Sequence, residues 1–252
     1  MIRKTLPVLI GTLLSSTLAF ADVSLEIKGL DGALEDNVDA YLSAVPEEEY
    51  AVSLRFQSRL ESMIKEALNA LGYYQPTITF SHSEDETELT VTVEQGEPVR
   101  IYESDIVLSG EAKDDPDFLA LIAKSKLSKG MILNHGNYDS LKSSIRNLGL
   151  AKGYFDGTYE VSKLEVAPEL NRAYVRLHYN SGIRYHFGKT TVTGSQIEDD
   201  KVQSLKTFED GEPYSITKVG EYNQNLSNTD WFSSVFVEPD LSQLGDGREI
   251  PM

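Results

Sequence analysis

Apolar and polar positions alternate through Val23-Ser24-Leu25-Glu26-Ile27 and the alternation stops at Gly29, which predicts a half-buried strand. Leu34, Val38, Tyr41 and Leu42 then fall at helical spacing, until Pro46 and the run Glu47-Glu48-Glu49 break it into a solvated loop. A longer helix follows, with Phe56, Leu60, Met63, Ile64, Ala67, Leu68 and Leu71 on one apolar face. Arg55, Arg59, Glu61, Lys65 and Glu66 supply its polar side. Gly72 ends it and Pro76 keeps it from resuming. Thr77-Ile78-Thr79-Phe80 alternates, Ser81 to Glu86 turns, and Glu88 to Val93 alternates back as a hairpin. The order is strand, helix, helix, strand, strand.

The same order recurs. Asp105 to Gly110 reads as a first strand, Phe118, Leu119, Leu121 and Ile122 as a first helix behind an acidic start at Asp114, Asp115 and Asp117. Leu141, Ile145 and Leu148 mark a second helix ending near Gly153, and Thr158–Val166 with Arg172–Tyr179 a hairpin. A third copy opens with Lys189 to Gly194. Val202 and Leu205 mark its first helix, Val219, Tyr222 and Leu226 its second, and Ser234 to Val237 its middle strand. A turn through Gly245-Asp246-Gly247 leads to Arg248-Glu249-Ile250, where a third strand is barely begun. Each second helix ends in a glycine-aromatic-aromatic step or a looser version of it: Gly72-Tyr73-Tyr74, Gly153-Tyr154-Phe155, and Trp231-Phe232. Tyr73, Tyr154 and Trp231 are 81 and 77 residues apart, a spacing that suits small domains in tandem rather than a solenoid. The aromatic pair is expected to fold back over the helix end and cover the core. The reading is α+β: three tandem β-α-α-β-β domains at 22–101, 102–187 and 188–252, the third incomplete at its C-terminus, with no barrel in the chain.

The N-terminus changes the setting. Arg3 and Lys4 precede an apolar run from Leu6 to Phe20 and the step Ala19-Phe20-Ala21, which reads as a signal peptide over residues 1–21 cut after Ala21. Loss of Arg3 and Lys4 takes the net charge from −17 to −19. So acidic a chain is a poor candidate for nucleic acid or an anionic membrane surface, and it is expected to favour basic partners. With no cysteine there is no disulfide, thiolate metal site or thiol nucleophile, and the domains must be held by their cores.

Catalytic constellations are missing from the pattern. His82, His135, His178 and His186 are scattered, with no metal-ligand spacing around them. Asp114, Asp115 and Asp117 lack the glycine and distal glutamate of a calcium loop. Gly149, Gly153 and Gly157 are spaced like a membrane helix-packing motif, but in a polar setting they read as a helix stop and a turn. No phosphate loop or nucleophile elbow occurs. The expectation is a non-enzymatic chain without catalytic, metal or cofactor residues.

The repeats and their junctions carry a resemblance. Ala67 to Ile78, Lys152 to Asp156, Tyr179 to Gly188, Gly194-Ser195-Gln196-Ile197 and Trp231 to Val235 resemble polypeptide-transport-associated (POTRA) domains of outer-membrane assembly proteins, most nearly those of the TamA family of translocation and assembly module subunits. The resemblance spans Asp22 to Met252 and implies a periplasmic docking region, attached to the outer membrane if a barrel follows. It implies a TamB-like inner-membrane-anchored partner and outer-membrane or autotransporter substrate polypeptides. Members continue into a barrel, and none of this sequence reads as one.

Binding through backbone would explain why no side-chain motif stands out. In β-augmentation a partner strand pairs with an unpaired sheet edge. The middle strand of each repeat is the candidate edge: Thr77, Ile78, Thr79 and Phe80; Thr158, Tyr159, Glu160 and Val161; Ser234, Val235, Phe236 and Val237. Gly72, Tyr73, Tyr74, Gly153, Tyr154, Phe155, Trp231 and Phe232 are expected to be structural. The alternative is a POTRA module of a secreted patatin-like enzyme, or of another exported scaffold, whose functional part lies beyond residue 252. A single-pass scaffold with an uncleaved anchor is the other alternative.

Overall fold

The computed structural model describes residues 23–243 and 247–252. The expected signal peptide and most of the Gly245–Gly247 turn lie outside the described residues. The chain divides into two compact units, one of described residues up to Ile64 with Ile78–Glu94, the other of Lys65–Thr77 with Gln95–Met252.

In the first unit β1 (Ser24–Lys28) runs parallel to β3 (Glu88–Glu94), and the sheet order β1-β3-β2 puts β2 (Thr77–His82) at an edge. The period-two pattern of β3 buries Leu89, Val91 and Val93. Helix α1 (Gly32–Leu42) contributes buried Leu34, Val38 and Leu42, and α2 (Leu54–Ala70) contributes Phe56, Leu60 and Ile64. The Glu47–Glu49 run forms a 3₁₀ turn rather than a plain loop, and Glu49 takes a 2.5 Å ion pair from Arg59.

The second unit holds two further copies. Strand β4 (Arg100–Ser109) starts earlier than Asp105 and bulges at Tyr102. It runs parallel to β6 (Arg172–Asn180), which pairs antiparallel with β5 (Thr158–Ala167), in the order β4-β6-β5. Helices α3 (Pro116–Lys124) and α4 (His135–Lys152) cover one face, and Phe118, Leu141, Ile145, Leu177 and Tyr179 form the core beneath them. Asp115 caps α3 by accepting from the Asp117 N–H, the role expected of carboxylates there. Asp115 and Asp117 also receive the Lys152 ammonium at 2.7 and 2.6 Å, which ties the start of α3 to the end of α4.

In the third copy β7 (His186–Phe187) runs parallel to β8 (Glu249–Ile250), with α5 (Asp199–Gln203) and α6 (Ile216–Ser227) between them. Phe187 and Phe208 stack at 3.8 Å in its core, beside Tyr214, Tyr222 and Ile250. The first strand therefore lies before Lys189–Thr193, where the sequence put it. Lys189 and Thr191 still extend the ladder, through bonds to the N–H and carbonyl of Met252 at 3.1 and 2.7 Å. The chain is thus mixed α+β, with two three-stranded sheets and one two-stranded sheet among the described residues, and no described strand belongs to a closed barrel. No helix of the described residues is long and apolar enough to cross a membrane.

Candidate interaction surfaces

Two of the three expected edge strands are edges. Strand β2 carries Thr77 and Thr79 exposed and Ile78 and Phe80 half-buried, as its alternation dictates. Strand β5 hydrogen-bonds one neighbour, β6, along ten residues. Its start is irregular. Glu160 is a bulge residue between the pairs Tyr159–Tyr179 and Val161–His178, and its carboxylate accepts from the Asn180 amide at 2.9 Å. The bulge turns Val161 to the outer face, opposite His178, whose ring meets Asp105 at 2.7 Å. Tyr159, Ser162 and Leu164 face α4. The Tyr159 hydroxyl donates to the Lys142 carbonyl at 2.8 Å, and burial pushes its pKa up. The Ser162 and Tyr138 hydroxyls meet at 3.1 Å.

The third expected edge is not a strand. Ser234, Val235, Phe236 and Val237 run without a ladder partner, and Phe236 is 89% exposed. A middle strand needs the central strand beside it; Arg248, Ile250 and Met252 bond to residues 186–191, and the Pro251 carbonyl accepts from the Asp240 N–H at 2.8 Å, beyond Val237. Between Thr190–Ser195 and Ser234–Glu238 lies an open cavity of about 290 Å³. Thr190 lines it, and its buried Oγ1 has no hydrogen-bond partner among the described residues.

The glycine-aromatic steps do more than end helices. Gly72 and Gly153 hold φ of +94° and +88°, the left-handed conformation a C-terminal stop needs. The carbonyl of Gly72 accepts from the Val99 N–H at 2.8 Å, and the Val99 carbonyl accepts from Leu133 at 2.9 Å. In the next copy the Gly153 carbonyl accepts from Tyr185 at 2.8 Å, and the Tyr185 carbonyl from Tyr214 at 3.1 Å. Each step thus stitches a helix end to the segment that begins the following sheet. The aromatic pair divides accordingly. Tyr154 joins the core under α3 and α4, whereas Phe155 joins Tyr185 and Tyr214 in the third core. Tyr74 packs with Val99 and Leu133, and its hydroxyl meets His135 Nε2 at 2.5 Å. Covering one's own core, the expected role, falls to the first aromatic of Tyr154-Phe155 and not to its second. Trp231 remains 44% exposed, Phe232 packs on the third core, and Asp230 takes the positive φ, +57°.

Charge is unevenly divided. Residues 22–101 carry 17 acidic and 5 basic side chains, 188–252 carry 12 and 5, and 102–187 carry 11 of each. The acidity of the whole chain therefore does not describe the neighbourhood of β5. No group of His, Cys, Asp and Glu able to hold a metal occurs among the described residues. At the last junction Glu111 accepts from the Arg184 N–H and pairs with Arg248 at 2.7 Å; the N–H first, then the guanidinium, hold its carboxyl below the usual range against its burial.

Residues 24–95 match the family model of the POTRA domain, TamA domain 1. This segment is similar to a POTRA domain. The chain as a whole is similar to POTRA domains 3–5 of BamA from Haemophilus influenzae, 15% identical, covering 91% of this chain and 92% of that one, with a TM-score of 0.48. It is similar to POTRA domains 1–3 of the periplasmic domain of Omp85 from Anabaena at 15% identity, covering 92% and 91%, with a TM-score of 0.33. Sequence reading missed Val99 and Tyr185, which look like junction residues until the carbonyls they bind are seen. It also passed over Lys142 and Arg146, which a comparison of the polar sides of α2 and α4 would have singled out.

Proposed function

We propose that this chain is the periplasmic POTRA region of a TamA-like outer-membrane assembly and translocation factor. It is exported by its signal peptide and carries no catalysis. It docks a TamB-like inner-membrane-anchored partner and receives outer-membrane substrates, autotransporters among them, by pairing their strands with its own sheet edges. The observation that carries this reading is β5, a ten-residue strand hydrogen-bonded to one neighbour. Such an edge offers backbone donors and acceptors to any chain of the right shape, so affinity needs no side-chain motif. The short β2 is the second such edge.

A photo-crosslinking amino acid placed at Thr79 of β2 and at Lys163 of β5 tests the reading in cells that carry the full-length protein. Adducts to the partner or to substrate chains are expected at one or both, with none from the exposed Glu35 of α1. Equal labelling from Glu35, or none from either strand, would overturn it.

A further inference from the structure

We infer that the β5 edge selects acidic strands, taking those with Asp or Glu at two successive positions of the face turned toward α4. This rests on the augmentation reading and adds which strands are accepted.

Helix α4 runs antiparallel to β5. Tyr138 meets Ser162 and, one turn on, Lys142 meets Tyr159, with the Lys142 ammonium 5.8 Å from the Tyr159 ring centroid. Arg146 follows one turn later, and neither Lys142 nor Arg146 forms an ion pair among the described residues. A strand added outside β5 would lie along this wall. Residues four apart on a helix are separated by about 6 Å along its axis, and residues two apart on a strand by about 6.6 Å. Successive same-face residues of the incoming strand would therefore come abreast of Lys142 and then Arg146.

The acids nearby are occupied elsewhere. Glu160 accepts from Asn180, Glu165 pairs with Arg176 at 3.4 Å, and Asp139, the one carboxylate of α4, acts on His135. The first repeat lacks this wall. Counting back from the helix-ending glycine, the places of Lys142 and Arg146 are held there by Glu61 and Lys65, one of each sign. The selection therefore belongs to the second repeat, in a chain whose overall charge would favour basic partners.

The test uses a single cysteine at Thr158 (T158C), since the protein has none of its own. Two capped, otherwise identical strand peptides, each carrying one cysteine placed to meet the T158C thiol and Glu-x-Glu or Lys-x-Lys at the α4-facing positions, compete to form a disulfide with it in a glutathione redox buffer. Amide resonances of Val161–Leu164 report whether each peptide pairs with β5. The acidic peptide is expected to win by about tenfold, as two partly exposed ion pairs would give, less so in high salt. Lys142→Glu with Arg146→Glu should reverse the preference, and the milder Lys142→Gln with Arg146→Gln should abolish it. Both peptides shifting the β5 amides equally, or a preference untouched by these changes, would overturn the charge selection alone. Neither peptide shifting them would overturn augmentation at β5 and the selection with it.

Discussion

The backbone carbonyl of Gly153 accepts a 2.8 Å hydrogen bond from the N–H of Tyr185, 32 residues later and at the start of the third sheet. Gly72 and Val99 repeat the arrangement one copy earlier. A positive-φ glycine thus ends a helix and aims its carbonyl at the next sheet, in a space too tight for a side chain.

Gly153→Val should be costly for two reasons. The left-handed backbone disfavours a β-branched residue by about 1–2 kcal/mol, and a Cβ there would sit 2.7 Å from the Tyr214 Cβ and 3.0 Å from the Tyr185 carbonyl oxygen. Overpacking adds roughly 1–3 kcal/mol. Thermal unfolding should show a loss well beyond that of a surface change, with Gly153→Ala in between. A valine variant that melts with wild type would remove Gly153 from the junction.

Lys152 makes a pH-dependent clasp with Asp115 and Asp117. Burial raises the Asp115 pKa, but the Lys152 ammonium and the Asp117 N–H outweigh it and hold the carboxyl below its ordinary 3.8. Burial lowers Lys152, and the two aspartates outweigh that and hold it above 10.5. The Asp115 contribution is present above pH 3.8 and is lost as pH falls through its depressed folded value. The Lys152 contribution is present below pH 10.5 and is lost as pH rises through its raised one. Lys152→Gln should cost about 1–3 kcal/mol near neutrality, and the gap from wild type should narrow at both extremes in denaturant titrations. A gap independent of pH would contradict the clasp.

His135 supplies a second pH dependence. Burial against Tyr74 lowers its pKa below 6.5, partly offset by Asp139. The unfolded chain then binds more protons than the folded one as pH falls below 6.5, so stability should decline there. His135→Gln should flatten that decline between pH 6.5 and its depressed value. An NMR titration placing His135 at or above 6.5 would contradict it.

The strand-helix-helix-strand-strand order was legible because its cores are written at periods of two and 3.6: Leu89, Val91 and Val93 in β3, Leu141 and Ile145 in α4. The edge positions of β2 and β5 followed from that order. What was not legible is set by neighbours distant in sequence. Ser234–Val237 has a strand's residues but no adjacent strand to pair with. Val161 takes its face from the bulge at Glu160, which period-two counting steps over. Tyr74 and Phe155 look like the partners of Tyr73 and Tyr154, yet each packs with residues that begin the next copy, and only the fold shows those residues to be adjacent.

The central claim is backbone pairing at β5, and two substitutions of Val161 test it most directly. Proline removes one N–H and obstructs an added strand, whereas threonine keeps the N–H and the approximate shape. Val161 lies half-buried on the outer face opposite His178, so both variants should fold, which thermal unfolding checks first. The measurement is the affinity of each for the periplasmic segment of a TamB-like partner. The account predicts binding lost with Val161→Pro and kept with Val161→Thr; equal binding by the two folded variants would contradict it.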